Sequence, residues 1–257
     1  IYVNTIAGNQ YEPDFDDLLS KITSNTKGII INSPSNPTGG VWSDIAIKTT
    51  LEIALKHDLW VFSDECYEQL VYDTEFKSIA TFISDANKIL TFQSCSKTYA
   101  MTGWRIGYTA GNVDIIKAMS KLQGQSTSCP NSIAQYAAIE ALIGDQSIIL
   151  EMVEIFKKRR ELIISGLNKI NHITCDQPKG AFYVFPDISY FFNKKYKNTI
   201  IKNSSDLSML LLNEKFIVTV AGQCFGSDKN IRFSYATSEN IILKMLDRLD
   251  SLLQLIK

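Results

Sequence analysis

The chain has 257 residues, 45% of them hydrophobic and 21% charged, which is enough apolar material for one large domain or two smaller ones to bury a core. With 26 Lys and Arg against 27 Asp and Glu, the formal net charge is -1, so no basic field attracts a nucleic acid backbone or an anionic membrane, and neither is expected as a partner. The cysteines (Cys66, Cys95, Cys129, Cys175, Cys224) are scattered without a C-x-x-C pair and only two histidines accompany them, which argues for reduced thiols and against a metal site.

The chain opens on Ile1-Tyr2-Val3, which reads as the middle of a strand without an initiator Met, so an upstream segment is expected. No signal pattern follows and the apolar stretches are shorter than a bilayer span, so a cytoplasmic protein is expected. Phe15, Leu18, Leu19 and Ile22 then recur at helical spacing behind Pro13 and Asp14. Four short apolar runs come next, at residues 28–32, 59–63, 88–92 and 104–110. Their lack of polar alternation predicts strands covered on both faces, as in a mostly parallel sheet, with helices such as 43–56 between them. In open α/β sheets ligands sit outside the carboxyl ends of the strands. The polar segments 32–39, 64–67 and 94–97 follow three of the strands, and the chemistry is expected to gather there.

Residues 146–167 form a long amphipathic pattern, with Ile149, Met152, Val153, Phe156, Ile163 and Leu167 apolar and the run 157–161 charged. A domain boundary is expected in the first half of this helix, dividing the chain into 1–150 and 151–257. The second part reads as an α+β unit: strand 181–185, helix 206–213, strands 217–220 and 231–235, and a final helix from Glu239. Residues 193–205, rich in Asn and Lys, read as a mobile surface loop, and the polar segment 123–131 as a connector or a loop near a subunit interface. No internal repeat is evident.

The segment Ser94-Cys95-Ser96-Lys97-Thr98-Tyr99-Ala100-Met101-Thr102-Gly103-Trp104-Arg105-Ile106-Gly107-Tyr108 resembles the lysine motif of fold-type I, pyridoxal-phosphate-dependent aminotransferases, closest to bacterial aspartate aminotransferases. The same family's other motifs stand in the same order: Asn36-Pro37-Thr38-Gly39, the turn from Asp64 to Tyr67, and Asn230-Ile231-Arg232-Phe233-Ser234-Tyr235-Ala236. The resemblance covers essentially the whole chain. It implies an α/β fold: a three-layer α/β/α large domain with a mostly parallel sheet, incomplete at its N-terminal side, and a smaller C-terminal α+β domain. It further implies pyridoxal 5'-phosphate as cofactor, a homodimer with active sites near the subunit interface, and transfer of an amino group from an amino acid, expected to be aspartate, to 2-oxoglutarate.

Each site residue has a bland reading beside the functional one. A lysine after a strand is usually a solvated charge, but Lys97 has two nearby serines and an arginine beyond a Gly-Trp turn, and the resemblance makes it the amine that binds the cofactor and moves the α-proton. Asp64 is a turn or cap residue on its own; the resemblance pairs it with the cofactor's pyridine nitrogen, where a carboxylate keeps the ring an electron sink. Tyr67 reads as a core aromatic and Asn36 as a turn residue before Pro37; in the family both donate to the cofactor's phenolate oxygen. Ser94, Ser96 and Arg105 match the family's phosphate-binding set, although serines at a strand end more often cap a turn. Arg232, which alternation alone would make an exposed edge charge, matches the arginine that grips the substrate carboxylate as a planar pair. One departure is Val220-Ala221-Gly222, where relatives often carry a proline before the glycine.

The family's glycine-bearing phosphate loop, its cofactor-stacking ring and its side-chain-specific substrate contacts come from a segment that would precede Ile1. Two alternatives remain open at this point: another fold-type I enzyme, such as an aromatic or prephenate aminotransferase or a carbon-sulfur lyase, and an aminotransferase-like sensor domain of a transcription regulator.

Overall fold

The fold is described for residues 1–82 and 87–257 of a computed structural model. A short hairpin, β1 (Thr5–Ile6) and β2 (Glu12–Pro13), leads into α1 (Phe15–Lys21). The Asp14 carboxylate accepts the backbone N–H groups of Asp16 and Asp17, so the first turn of α1 starts with two of its orphan donors satisfied. β3 (Gly28–Asn32), α2 (Asp44–Lys56) and β4 (Trp60–Asp64) follow, with Ser43 as the N-cap of α2. Then come β5 (Ile89–Ser94), the single turn α3 (Cys95–Thr98) and β6 (Gly107–Gly111). These strands make a four-stranded sheet in the order β3-β4-β5-β6, with β3-β4 and β4-β5 parallel and β5-β6 antiparallel.

α4 (Val113–Ser126), α5 (Ser132–Ile143) and the long α6 (Ser147–Leu167) carry the chain away from this sheet. The remainder comprises β7 (Tyr183–Val184), the hairpin β8 (Lys195–Tyr196) and β9 (Thr199–Ile200), α7 (Ser204–Lys215), β10 (Val220–Ala221), β11 (Ile231–Ser234) and α8 (Glu239–Leu253). β10, β11 and β7 form an antiparallel sheet with β11 in the middle.

Two large hydrophobic clusters hold these parts. The first lies between α2 and one face of the parallel sheet, where Ile31, Val61 and Ile89 meet Ile47, Leu51 and Ala54. The second wraps the antiparallel sheet with α6, α7 and α8, joining Ile163, Leu167, Leu211, Ile231, Phe233 and Leu252. Tyr67, Leu70 and Tyr72 belong to this second cluster although they directly follow β4, so the turn that bears Asp64 is anchored in the C-terminal core.

Four expectations change. Residues 1–3 form no strand: Ile1 and Tyr2 are exposed and join no ladder among the described residues, with Tyr2 O accepting only from the Lys21 side chain at 2.8 Å, and an extended segment without a ladder has nothing to hold it as a strand. The strands of the four-stranded sheet are not covered on both faces. Because side chains alternate, Ile31 points into the α2 cluster while Ile30 is 78% exposed, and no residue of β6 is buried. Residues 193–205 are not simply a mobile loop; they contain the β8-β9 hairpin, pinned because Tyr196 and Ile201 are buried in the C-terminal core. In the charged run 157–161, Arg160 is 1% exposed. It donates to the Asp73 carboxylate at 2.6 Å and to Pro178 O at 3.1 Å and lies over the Tyr72 ring, so a cation at an apolar helix position is held by partners on two loops.

Candidate active site

The parallel register sets Asn32 beside Asp64 and Asp64 beside Phe92, so the carboxyl ends of β3, β4 and β5 open at one edge. After β3 the chain turns through residues 33–39, where Ser33–Pro34 and Asn36–Pro37 are cis peptides. Asn32 Oδ1 accepts the N–H of Asn36 at 2.7 Å, which fixes that turn to the strand end. Gly39 closes it in the left-handed region (φ 68°), with its carbonyl accepting from Lys179 and Gly180; a Cβ there would strike Pro178 at 2.4 Å. The Asn-Pro-Thr-Gly motif is therefore the joint between the parallel sheet and the loop before β7.

At the end of β4, Asp64 Oδ1 accepts the N–H of Cys66 at 3.1 Å. Next to it, Glu65 is fully buried and accepts from Ser63 Oγ, Ser78 Oγ, Ile79 N and Gln93 Nε2 at 3.0–3.1 Å. A buried carboxylate with four donors is stable only in one orientation, and it clamps the turn that presents Asp64. Burial first, and then the hydrogen bond and charge of Asp64, push the Cys66 thiol up to about 12, so Cys66 is a neutral thiol beside the site.

Lys97 lies on α3, half-buried. Its Nζ is 5.7 Å from the Phe182 ring centroid and 6.0 Å from that of Tyr67. Ser94 Oγ accepts the N–H of Ser96 and caps this one turn, while the Ser96 side chain is buried. Arg105 adopts the left-handed region (φ 54°), is exposed, and donates from Nη1 to Thr102 O at 2.9 Å. The antiparallel register of β5 and β6 puts Gly107 opposite Ser94, so Arg105 arrives beside the Lys97 turn. It lines an open cleft of about 850 Å³ with Trp104, Gln123, Thr127, Cys129 and Asn131. The segment 123–131 is therefore not one loop: Gln123 to Ser126 close α4, and only residues 127–131 are connector.

The C-terminal core contributes the rest. Arg232 sits on the central strand β11, not on an edge, and its Nη1 donates to Asn36 Oδ1 at 2.7 Å across 196 residues of sequence. Its guanidinium lies 4.5 Å from the Tyr183 ring centroid and 5.2 Å from that of Phe225, and Nε is buried without a partner among the described residues. Tyr183 and Tyr67 hydroxyls are 2.9 Å apart, and Phe182 packs edge-on against Tyr67. Burial first, then the bond with Tyr183, hold the Tyr67 phenol well above its ordinary value, so Tyr67 carries its proton across the physiological range. At the departure from the family pattern, Ala221 takes φ -60° and ψ 137°, angles a proline would also accept, so the loop needs no proline to reach this shape. Gly222 is required on other grounds, since a Cβ there would meet Ser227 O at 2.1 Å and Asn230 O at 2.2 Å.

Asn36, Asp64, Tyr67, Lys97 and Arg232 are thus drawn together from four segments, with Ser94, Ser96 and Arg105 around the Lys97 turn. Glu65, Phe182 and Tyr183 were not singled out in the sequence. Glu65 follows a strand as an ordinary turn carboxylate does, and the two aromatics read as strand residues, so the sequence carried no distinct signal for them.

These features coincide with those of a known family. A family profile, aminotransferase class I and II, matches residues 1–249, and the chain belongs to that family. It is 41% identical over 240 residues to the aspartate/prephenate aminotransferase of Cereibacter sphaeroides, covering 92% of this chain and 60% of that protein. It is 39% identical over 251 residues to the aspartate aminotransferase of Bacillus subtilis, covering 97% and 63% respectively. Among solved structures it is similar to the aspartate aminotransferase of Rhizobium meliloti, with a TM-score of 0.93 and 38% identity over 98% of this chain and 64% of that one. It is also similar to the aromatic aminotransferase of Pyrococcus horikoshii, with a TM-score of 0.91 and 34% identity over 99% and 67%. The fold is accordingly the fold-type I aminotransferase fold, in part: the chain spans about 60% of the length of the curated relatives it matches.

Proposed function

We propose that the protein is a pyridoxal-phosphate-dependent aminotransferase that takes the amino group of an amino acid, in the first instance aspartate, and passes it to 2-oxoglutarate. The observation that carries this reading is the junction at Arg232. A guanidinium on a central strand, bonded to Asn36 and lying over two rings, keeps one buried N–H without a partner among the described residues, and a buried unpaired donor is costly unless a ligand completes it. A carboxylate satisfies it with the two-pronged geometry that guanidinium favours.

The residues present fit the cofactor. Lys97 supplies an amine half-shielded by aromatic rings, Asp64 a carboxylate held at a strand end by the clamped turn, Tyr67 and Asn36 donors, and Ser94, Ser96 and Arg105 hydroxyls and a cation for a phosphate. When bound, pyridoxal phosphate supplies an aldehyde for amines and a ring that accepts the electron pair left at the substrate α-carbon. Lys97 Nζ holds the cofactor and then carries the proton at the α-carbon. Asp64 keeps a proton on the ring nitrogen, Tyr67 donates toward the phenolate oxygen, and Arg232 orients the substrate through its carboxylate. The same reading makes the protein a cytoplasmic homodimer whose two sites lie near the subunit interface, with the boundary between large and small domains near residue 150.

A second substrate reading has a specific support, since several relatives are named aspartate/prephenate aminotransferases. The direct test is to load the native full-length protein with pyridoxal phosphate and assay aspartate against 2-oxoglutarate and prephenate. Turnover with an α-amino acid donor and a borohydride-reducible adduct on Lys97 are expected. An adduct on another lysine, or no turnover with any donor, would overturn the proposal.

A further inference from the structure

The Tyr67–Tyr183 pair raises a question of direction. Each hydroxyl has one hydrogen to donate and lone pairs to accept with, and the two oxygens are 2.9 Å apart, both buried. If Tyr67 spends its hydrogen on the cofactor, as the function proposed above requires, the hydrogen between the two tyrosines must come from Tyr183. Tyr183 is suited to donate: the Arg232 guanidinium lies over its ring at 4.5 Å, and a cation on the ring face draws electron density from the phenol and sharpens its O–H as a donor. Donors in series polarise one another.

We propose that Tyr183 is a positioning residue for the cofactor site, donating from its hydroxyl to Tyr67 Oη and thereby fixing Tyr67 as a donor aimed at the cofactor. The inference rests on the cofactor reading and adds to it a residue outside the reacting groups. The charged and titratable groups that face Tyr67 are Cys66 from its own turn, Lys97 from α3, Arg232 from β11 and Tyr183 from β7, and only Tyr183 is bonded to its hydroxyl among the described residues. Phe182, itself stacked on Phe156 at 5.4 Å, packs edge-on against the Tyr67 ring at 5.6 Å, so the ring keeps a packing partner when the Tyr183 hydroxyl is removed.

The experiment follows the visible absorbance of the loaded native full-length protein against pH in wild type, Tyr183→Phe, Tyr67→Phe and the double variant. A donor at the cofactor's phenolate oxygen competes with the proton of the Lys97 linkage, so a weaker donor raises the midpoint. Tyr183→Phe is expected to raise proton affinity roughly two- to tenfold, the span of one net hydrogen bond, and to add nothing in the Tyr67→Phe background. Replacing Tyr183 with 3-fluorotyrosine, which keeps the shape and makes a stronger donor, should move the midpoint the other way, a shift that a merely structural role does not produce. An unchanged midpoint in both Tyr183 variants, or a fully additive double variant, overturns the proposal. A wild-type protein that gains no visible absorbance with pyridoxal phosphate overturns the function reading instead, and this role with it.

Discussion

Ile163, Leu167, Leu211, Ile231 and Leu252 in the C-terminal core have essentially no exposed surface, whereas Ile30 on β3 and Tyr136 on α5 are 78% and 77% exposed. The two regions have comparable apolar side chains but different layering. The antiparallel sheet is wrapped by α6, α7 and α8. The four-stranded sheet has α2 on one face, and α4, with Val113 and Leu122 exposed, has no buried residue at all. A sheet needs a layer on each apolar face to bury it. The difference teaches that one part of this chain is closed by its own helices and supplies the rigid frame for Arg232 and Tyr183, while the part that carries Asp64 and Lys97 is covered on one side only.

The contrast can be pressed hardest at the site, where the open sheet and the closed core are assigned different duties. Asp64→Ala in the full-length protein should leave the cofactor bound but slow α-proton removal by about 10²–10⁴-fold, measured by single-turnover kinetics. Arg232→Lys should instead weaken amino-acid binding, because the charge remains and the planar pair is lost. Identical patterns of loss in kcat and KM would erase the division of labour between the two regions.

A smaller effect separates the cores themselves. Leu211→Ala removes a side chain that nothing else can replace and should cost about 2–5 kcal/mol in urea unfolding. Ile30→Thr, on the bare face of β3, should change the stability of this chain by no more than about 0.5 kcal/mol and improve its solubility. A large loss for Ile30→Thr in this chain alone would show that the exposed face is covered after all.

The smallest effect concerns the strut between the regions, where Asp73, beyond the turn after β4, receives Lys157 at 2.5 Å and Arg160 at 2.6 Å from α6. The hydrogen bond from Lys157, then that from Arg160, holds the Asp73 carboxyl below its ordinary value. A carboxyl depressed in the folded state stabilises it at pH above the unfolded value of about 4, and that contribution is lost as pH falls through the lower folded value. The stability difference between wild type and Asp73→Asn should therefore be constant from neutral pH to about 5 and shrink below about 4, followed by urea midpoints at each pH. A difference undiminished between neutral pH and pH 3 would mean the strut does not act through this charge.

Much of the architecture was legible along the chain because local signals agreed. Asp14 and Ser43 mark helix starts as caps, the run at 28–32 is β3 to the residue, and the last helix begins at Glu239. The lysine motif, the Asn-Pro-Thr-Gly turn and the Asn230–Ala236 segment were also enough to indicate the family. Tertiary structure decided what depends on neighbours distant in sequence. Whether an apolar strand is covered is not written in its own composition, so Ile30 and Ile31 read alike although one is bare and the other buried. Arg160 and Glu65 look like surface charges until the loops bearing Asp73, Pro178 and Ser78 close over them. The bond between Arg232 and Asn36 spans 196 positions, and that between Tyr67 and Tyr183 spans 116. Periodicity reports only which face a residue occupies within its own element; which partner meets that face is set when the two cores pack, and Asn36, Tyr67, Tyr183 and Arg232 meet only at that junction.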